Sequence, residues 1–134
     1  MYLFDTDIIT NVLKKQPSPL LLARLATTLR KQQHISTITI SEIGYGACKS
    51  TRPEFHLANL QNILLPSVNI VPFDSKAAYA CGRLRAELEK VGTPLALADL
   101  EIAAIALAND LVLVTGNTRH FARIPTLSVE NWLV

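Results

Sequence analysis

Cysteine is scarce. Cys48 and Cys81 are the only two, each lies in a helix-like segment, and neither has a neighbour at metal-ligand spacing. A disulfide framework and a zinc cluster are thereby excluded, and buried thiols in a reducing cytosol are expected. Long apolar runs are missing too, and the N-terminus reaches an acid at position 5 with no basic segment before it. Neither a membrane-spanning helix nor a secretory leader is expected, so the protein reads as cytoplasmic. Nor does one charge dominate: thirteen Lys and Arg against eleven Asp and Glu leave a net +2, well short of the basic stripe that announces nucleic-acid binding. There are no internal repeats, low-complexity tracts or dividing linkers, which points to one domain over residues 1–134.

The chain is rich in apolar surface. Hydrophobic residues make up 49% of its 134 residues and charged ones only 18%, enough to build a core without disulfides and too apolar for disorder. Strand and helix signals alternate. Tyr2–Phe4 reads as a strand followed by a short helix over Ile8–Leu13, and Leu20–Gln33 carries a second helical period. His34–Ile38 reads as strand, Thr39–Lys49 and Glu54–Leu65 as helices, and Val68–Pro72 as the next strand. Helices over Ser75–Val91 and Leu95–Asn109 then precede LVLVT, Leu111–Thr115, a continuous apolar run typical of a strand covered on both faces. The fold class is therefore α/β, a sandwich with a central, mostly parallel sheet flanked by helices. In such sheets ligands bind beyond the carboxyl ends of the strands.

Acids recur at those ends. Asp5 closes the first strand in MYLFDTDIIT, and Asp7 follows two residues on. Either could be a helix cap, since an Asp between strand and helix commonly accepts backbone N–H bonds. Glu42 stands in TITISEIGYG three residues after Thr39, spacing that also fits a capping box. In LALADLEIAAIALA only Asp99 and Glu101 interrupt a helix that is apolar all round and so expected to be buried. Glu101 is two residues from Asp99 and points elsewhere. The last strand runs into TGNTRHF, where Thr115, Asn117 and Thr118 offer oxygen ligands and Arg119 and His120 could meet phosphate. Carboxylates converging from separate strand ends repel one another unless a divalent cation joins them. Hard oxygen donors suit Mg²⁺ or Mn²⁺, which retain water and bind phosphate oxygens, and the expected chemistry is phosphoester hydrolysis.

FDTDI, TISEIGYGA, ADLEIAAIAL and VTGNTRHF, in this order and nearly end to end, resemble a PIN-domain ribonuclease, in particular the VapC-type toxins of bacterial toxin-antitoxin modules. The resemblance implies a PIN-like α/β/α sandwich and a metal-dependent endoribonuclease that cuts structured RNA, often a tRNA. It further implies a homodimer, silenced by a small antitoxin whose C-terminal segment wraps over the site. By the same likeness Asp5, Glu42 and Asp99 match the catalytic acids. Asp5 and Asp99 hold Mg²⁺, with Mn²⁺ able to substitute, and Glu42 positions the attacking water. Asp7, Thr115 and Asn117 are auxiliary. Asn117 stands where many relatives have a fourth acid, which leaves one or two ions open. Lys49, Arg52, Arg83, Arg85 and Arg119 are candidate RNA contacts, and the Leu20–Leu29 face is a candidate for dimer or antitoxin contact.

Two other readings compete. Asp5-Thr6-Asp7 superficially resembles the nucleophile motif of haloacid-dehalogenase-type phosphatases, but the chain has no Asp-Asp pair for their acid loop. Alternatively the acids are caps and the apolar excess is a binding face, making the protein a non-catalytic interaction module.

Overall fold

A computed structural model describes all 134 residues. Strand β1 (Tyr2–Phe4) leads into α1 (Thr6–Val12) and α2 (Pro19–Ala26), then β2 (Gln33–Ser36) into α3 (Thr37–Lys49) and α4 (Pro53–Asn59). A π-helical turn over Leu60–Leu64 and α5 (Leu65–Ser67) precede β3 (Asn69–Val71). The antiparallel helices α6 (Ser75–Lys90) and α7 (Leu97–Ala108) follow, then β4 (Val112–Val114), α8 (Thr118–Phe121) and β5 (Val129–Glu130).

The five strands form one parallel sheet in the order β3-β2-β1-β4-β5. Side chains alternate across a strand, so adjacent apolar residues serve opposite faces. Leu3 and Leu113 join a core cluster with α6, α7, Phe121 and Ile124. Phe4 and Val114 join the other cluster, with Ile8 and Ile9 of α1, Leu21 of α2, and Leu60, Leu64 and Trp132. Two apolar faces are thus drawn from one apolar run, as expected for a sheet covered on both sides.

The helices start where the local chemistry permits. Ser36 Oγ accepts the Thr39 N–H at 3.0 Å and Asp74 Oδ1 accepts the Ala77 N–H at 3.0 Å, capping α3 and α6. Pro19 takes the first position of α2, where its missing N–H is harmless. The helix expected to run to Gln33 stops at Ala26. There the Thr27 and Thr28 hydroxyls donate to the Arg24 carbonyl at 3.1 and 2.7 Å, competing with continuation of the helix. A 3₁₀ turn over Arg30–Gln32 then delivers the chain to β2. The helix expected over Glu54–Leu65 begins at Pro53 and widens into the π turn just before Pro66, which has no N–H to donate and whose ring a straight helix would crowd. α8 lies within TGNTRHF, and the two-residue β5 lies in a stretch for which no element is expected from the sequence. No helix is long and apolar enough to cross a membrane.

The C-terminal segment is pinned by Trp132. Its ring packs edge-on against Tyr2 and Phe4 at centroid distances of 4.8 and 5.3 Å. Its Nε1–H donates to Glu130 Oε1 at 3.0 Å, and the Arg24 guanidinium lies 4.5 Å above it. Trp132→Ala should cost about 3–5 kcal/mol, as for other buried large aromatics. Arg24→Ala removes an exposed ion pair with Glu130 and the contact over the Trp132 ring, and should cost no more than about 1–2 kcal/mol. Equilibrium urea denaturation of both variants checks the contrast.

Candidate functional site

In the strand order, β1 has β2 on one side and β4 on the other: the chain winds from β1 through β2 to β3 at one edge, then returns to β4 and β5 on the other side, which opens a crevice at the carboxyl end of β1. Asp5 occupies that end. Its N–H donates to the Val114 carbonyl at 2.9 Å, extending the ladder by one residue. The residue is 6% exposed. Oδ1 accepts the Thr6 N–H at 2.8 Å, and Oδ2 accepts the Thr115 hydroxyl at 2.9 Å. Asn117 N–H in turn donates to Thr115 Oγ1 at 3.0 Å, so the loop after β4 orients the hydroxyl that holds Asp5. Asp5 is the cap of α1, and the same side chain stands at the crevice.

Asp5, Asp7, Glu42 and Asp99 line one open cleft of about 440 Å³ together with Thr6, Thr10, Lys14 and Asn117, and none of the eight lining residues is hydrophobic. The structure thus brings together the three acids singled out as catalytic, along with Asp7 and Asn117. Thr115 lies buried just behind Asp5. Arg119 is exposed on α8 and is not part of the lining, whereas Lys14 is.

The Glu42 capping box does not form. Helix α3 begins two residues earlier than expected, with Ser36 as its cap, and this frees Glu42 to face the cleft. Glu42 Oε1 accepts the Thr6 hydroxyl at 2.6 Å. Thr6 Oγ1 lies 3.0 Å from Thr39 Oγ1, which accepts from Ser36 Oγ at 3.3 Å. With the Thr6 proton given to Glu42, Thr39 donates to Thr6, and the hydroxyl chain runs one way from β2 to the carboxylate.

Asp99 departs from expectation in its burial. The body of α7 is buried at Leu100 and from Ile102 to Ala106, but Asp99 belongs to its first turn, where the helix emerges at the cleft, and its side chain is 27% exposed. His120 Nε2 lies 3.7 Å from Asp99 Oδ2. Asp7 is placed by the other loop, accepting the Gly116 N–H at 2.9 Å. A Cβ at Gly116 would stand 2.9 Å from both Asp7 Oδ2 and Leu133 Cδ1, so a larger residue there would push the Asp7 carboxylate or the Leu133 side chain aside.

Burial, then the charge of Asp7, raises the Asp5 carboxyl from an ordinary 3.8 to about 6, against the pull of the Thr115 and Thr6 bonds. Asp99 is raised in the same sense, chiefly by burial and further by Glu42 and Asp7, while His120 acts against the rise. The acids therefore feel one another across the cleft. Yet no three acidic, His or Cys side chains are placed to grip one ion directly. This donor set fits an ion that takes one or two carboxylates and keeps its waters, as Mg²⁺ does.

Reading the sequence missed Thr6, Ser36, Lys14, Gly116 and the Asp99–His120 contact. Thr6, between the two opening acids, carried the one available signal. The others depend on elements that only folding brings together.

The chain belongs to the PIN-domain family, whose model matches residues 2–127. Within that family its relatives are VapC-type. Ribonuclease VapC2 of Haemophilus influenzae is 36% identical over 132 residues, covering 98% of both chains. The tRNA(fMet)-specific endonuclease VapC of Salmonella typhimurium is 36% identical over 131 residues, covering 98% of this chain and 97% of that one. The solved structure of VapBC2 from Rickettsia felis bound to a DNA fragment from their promoter superposes with a TM-score of 0.89 at 35% identity over 98% of each chain.

Because Asp5 ionises at about 6 when folded and 3.8 when free, the native state keeps its proton where the unfolded state has lost it. Stability from this group is therefore full below about pH 4 and declines as pH rises through 6. Asp5→Asn removes the decline. In EDTA, its stability relative to the native sequence should grow between about pH 4 and pH 7 by up to roughly 3 kcal/mol, at 1.36 kcal/mol per unit. Urea midpoints across that range measure the difference, and a flat profile would contradict a buried ionisable Asp5.

Proposed function

We propose that this protein is a Mg²⁺-dependent endoribonuclease, with Mn²⁺ able to substitute, that hydrolyses phosphodiester bonds in structured RNA, tRNA foremost. The observation that carries this reading is the single cleft shared by Asp5, Asp7, Glu42 and Asp99. Its Salmonella relative's designation as a tRNA(fMet)-specific endonuclease supports the substrate class.

Asp5 and Asp99 would hold the ion, directly or through its waters, which is consistent with carboxylates whose ionisation is opposed by burial and by one another. When bound, the ion lowers the pKa of a water and neutralises charge on the phosphate. The protein's own work is positional. Thr115 and the Thr6 N–H keep both Asp5 oxygens aimed, leaving their remaining lone pairs toward the cleft. Glu42, steadied by the Thr6 hydroxyl, is positioned to accept a hydrogen bond from the attacking water and orient it. Asn117 presents a neutral amide where a fourth carboxylate would add repulsion, an arrangement that favours one ion over two. Lys14 is the cation at the cleft suited to an RNA phosphate. The reaction adds water at phosphorus and breaks one P–O ester bond.

A small antitoxin is the proposed partner and a homodimer the proposed form. Leu20, Leu22 and Leu29 are exposed on and just after α2, apolar surface suited to a protein contact. The VapBC2 assembly of Rickettsia felis engages promoter DNA. With a net charge of only +2, the present chain fits a role in which the partner makes the DNA contacts.

Cleavage of total RNA and purified tRNA by the native protein, Asp5→Asn, Asp99→Asn and Glu42→Gln tests this, with folding of each confirmed. Discrete fragments are expected from the native protein in Mg²⁺ and none in EDTA, with losses of about 10²–10³-fold or more for each variant. Thr115→Val, which only unseats Asp5, should lose about 10–100-fold. Cutting that survives EDTA or Asp99→Asn would overturn the reading.

A further inference from the structure

A second, larger cavity of about 670 Å³ adjoins the acid cleft, between α1, α3 and α4. The two share Thr6, Thr10 and Glu42, so whatever chain crosses the acids presents its next unit at the mouth of this cavity. Only four of its thirteen lining residues are hydrophobic. Leu13, Ile43, Ala47 and Phe55 give it apolar faces, and polar side chains stand at their edges. Its lining includes Lys15, Arg52 and His56, and no acid besides Glu42 on the shared rim.

The far wall is a stacking platform. The Arg52 guanidinium lies 4.0 Å above the centroid of Phe55, and the His56 ring meets Phe55 edge-on at 5.3 Å. Phe55 is 46% exposed. The Arg52 N–H donates to Ser50 Oγ at 3.3 Å, and Pro53 follows it at the start of α4, so the base of this side chain is anchored. Planar guanidinium and aromatic faces are the surfaces on which unstacked RNA bases settle, irrespective of sequence. The Asn59 amide in the lining supplies a donor and an acceptor for a base edge.

We infer that this cavity receives the base of one unpaired nucleotide adjacent to the scissile phosphate, stacked on the Arg52–Phe55 pair. The inference rests on the endoribonuclease reading. Its volume lies in the range of small-ligand pockets, and its cations complement the flanking phosphate. A base held in a duplex cannot enter it, so cuts fall in loops or single strands.

The test uses a tRNA that the native protein cuts, with the cut site mapped, and the same RNA carrying an abasic residue on either side of that site. Arg52→Ala and Phe55→Ala should each lose about tenfold in kcat/KM on intact tRNA, mainly through KM, as expected for losing one stacked base. An abasic residue at one flanking position should cost the native protein a similar factor and cost the two variants little more. Phe55→Tyr, which keeps the ring, should recover most of the factor lost in Phe55→Ala. If Arg52→Ala and Phe55→Ala cut intact tRNA normally, or if variant and abasic losses multiply, the subsite is overturned and the cavity falls to a protein partner. If the native protein and Asp5→Asn cut alike, the nuclease reading fails, and this inference fails with it.

Discussion

Everything at the site depends on keeping one nearly buried carboxylate beside other carboxylates. Asp5 sits where its own charge is disfavoured by burial and by Asp7, and it is held by donors from two segments far apart in sequence, the Thr6 N–H and the Thr115 hydroxyl. These bonds offset part of the burial penalty without removing it. What results is a carboxylate whose direction is fixed and whose ionisation is still opposed by burial and by Asp7. A side chain that only capped α1 would need neither Thr115 nor the burial.

The sheet order makes this possible. With β1 between β2 and β4, the ends of three neighbouring strands deliver Asp5, Ser36 and Thr115 to one edge. The β2 end reaches the cleft through hydroxyls, from Ser36 to Thr39 to Thr6 and so to Glu42. The β4 end reaches it through a loop, in which Asn117 orients Thr115 and Gly116 binds Asp7. Asp99 alone arrives from a helix outside these turns. It does so because α7, packed on one sheet face by Ile102–Ala106, ends its buried stretch at the first turn. The two core clusters on opposite faces clamp β1 and β4 and so hold the donors in register.

Much of the fold was legible because its signals are local. The continuous run before Thr115, the opening strand and the long helices after Asp74 each declare themselves by period or composition within one segment. Errors gathered where competing bonds decide. The helix after Pro19 stops early because two threonine hydroxyls compete for one carbonyl, and α3 starts early because Ser36 caps it. A strand of two residues such as β5 has no period to read; it exists because β4 offers an edge.

The sequence alone determined the strand–helix alternation, the placing of Asp5 at a strand end and the isolation of Asp99 in an apolar helix, since these follow from the order of residue types along the chain. Tertiary structure alone decided which hydroxyl holds each acid, that Lys14 rather than Arg119 stands at the cleft, that His120 faces Asp99, and that a stacking wall at Arg52 and Phe55 adjoins the acids. The reason is geometric: a hydrogen bond such as Thr115 to Asp5 joins positions 110 residues apart, and no local pattern records which strands will become neighbours.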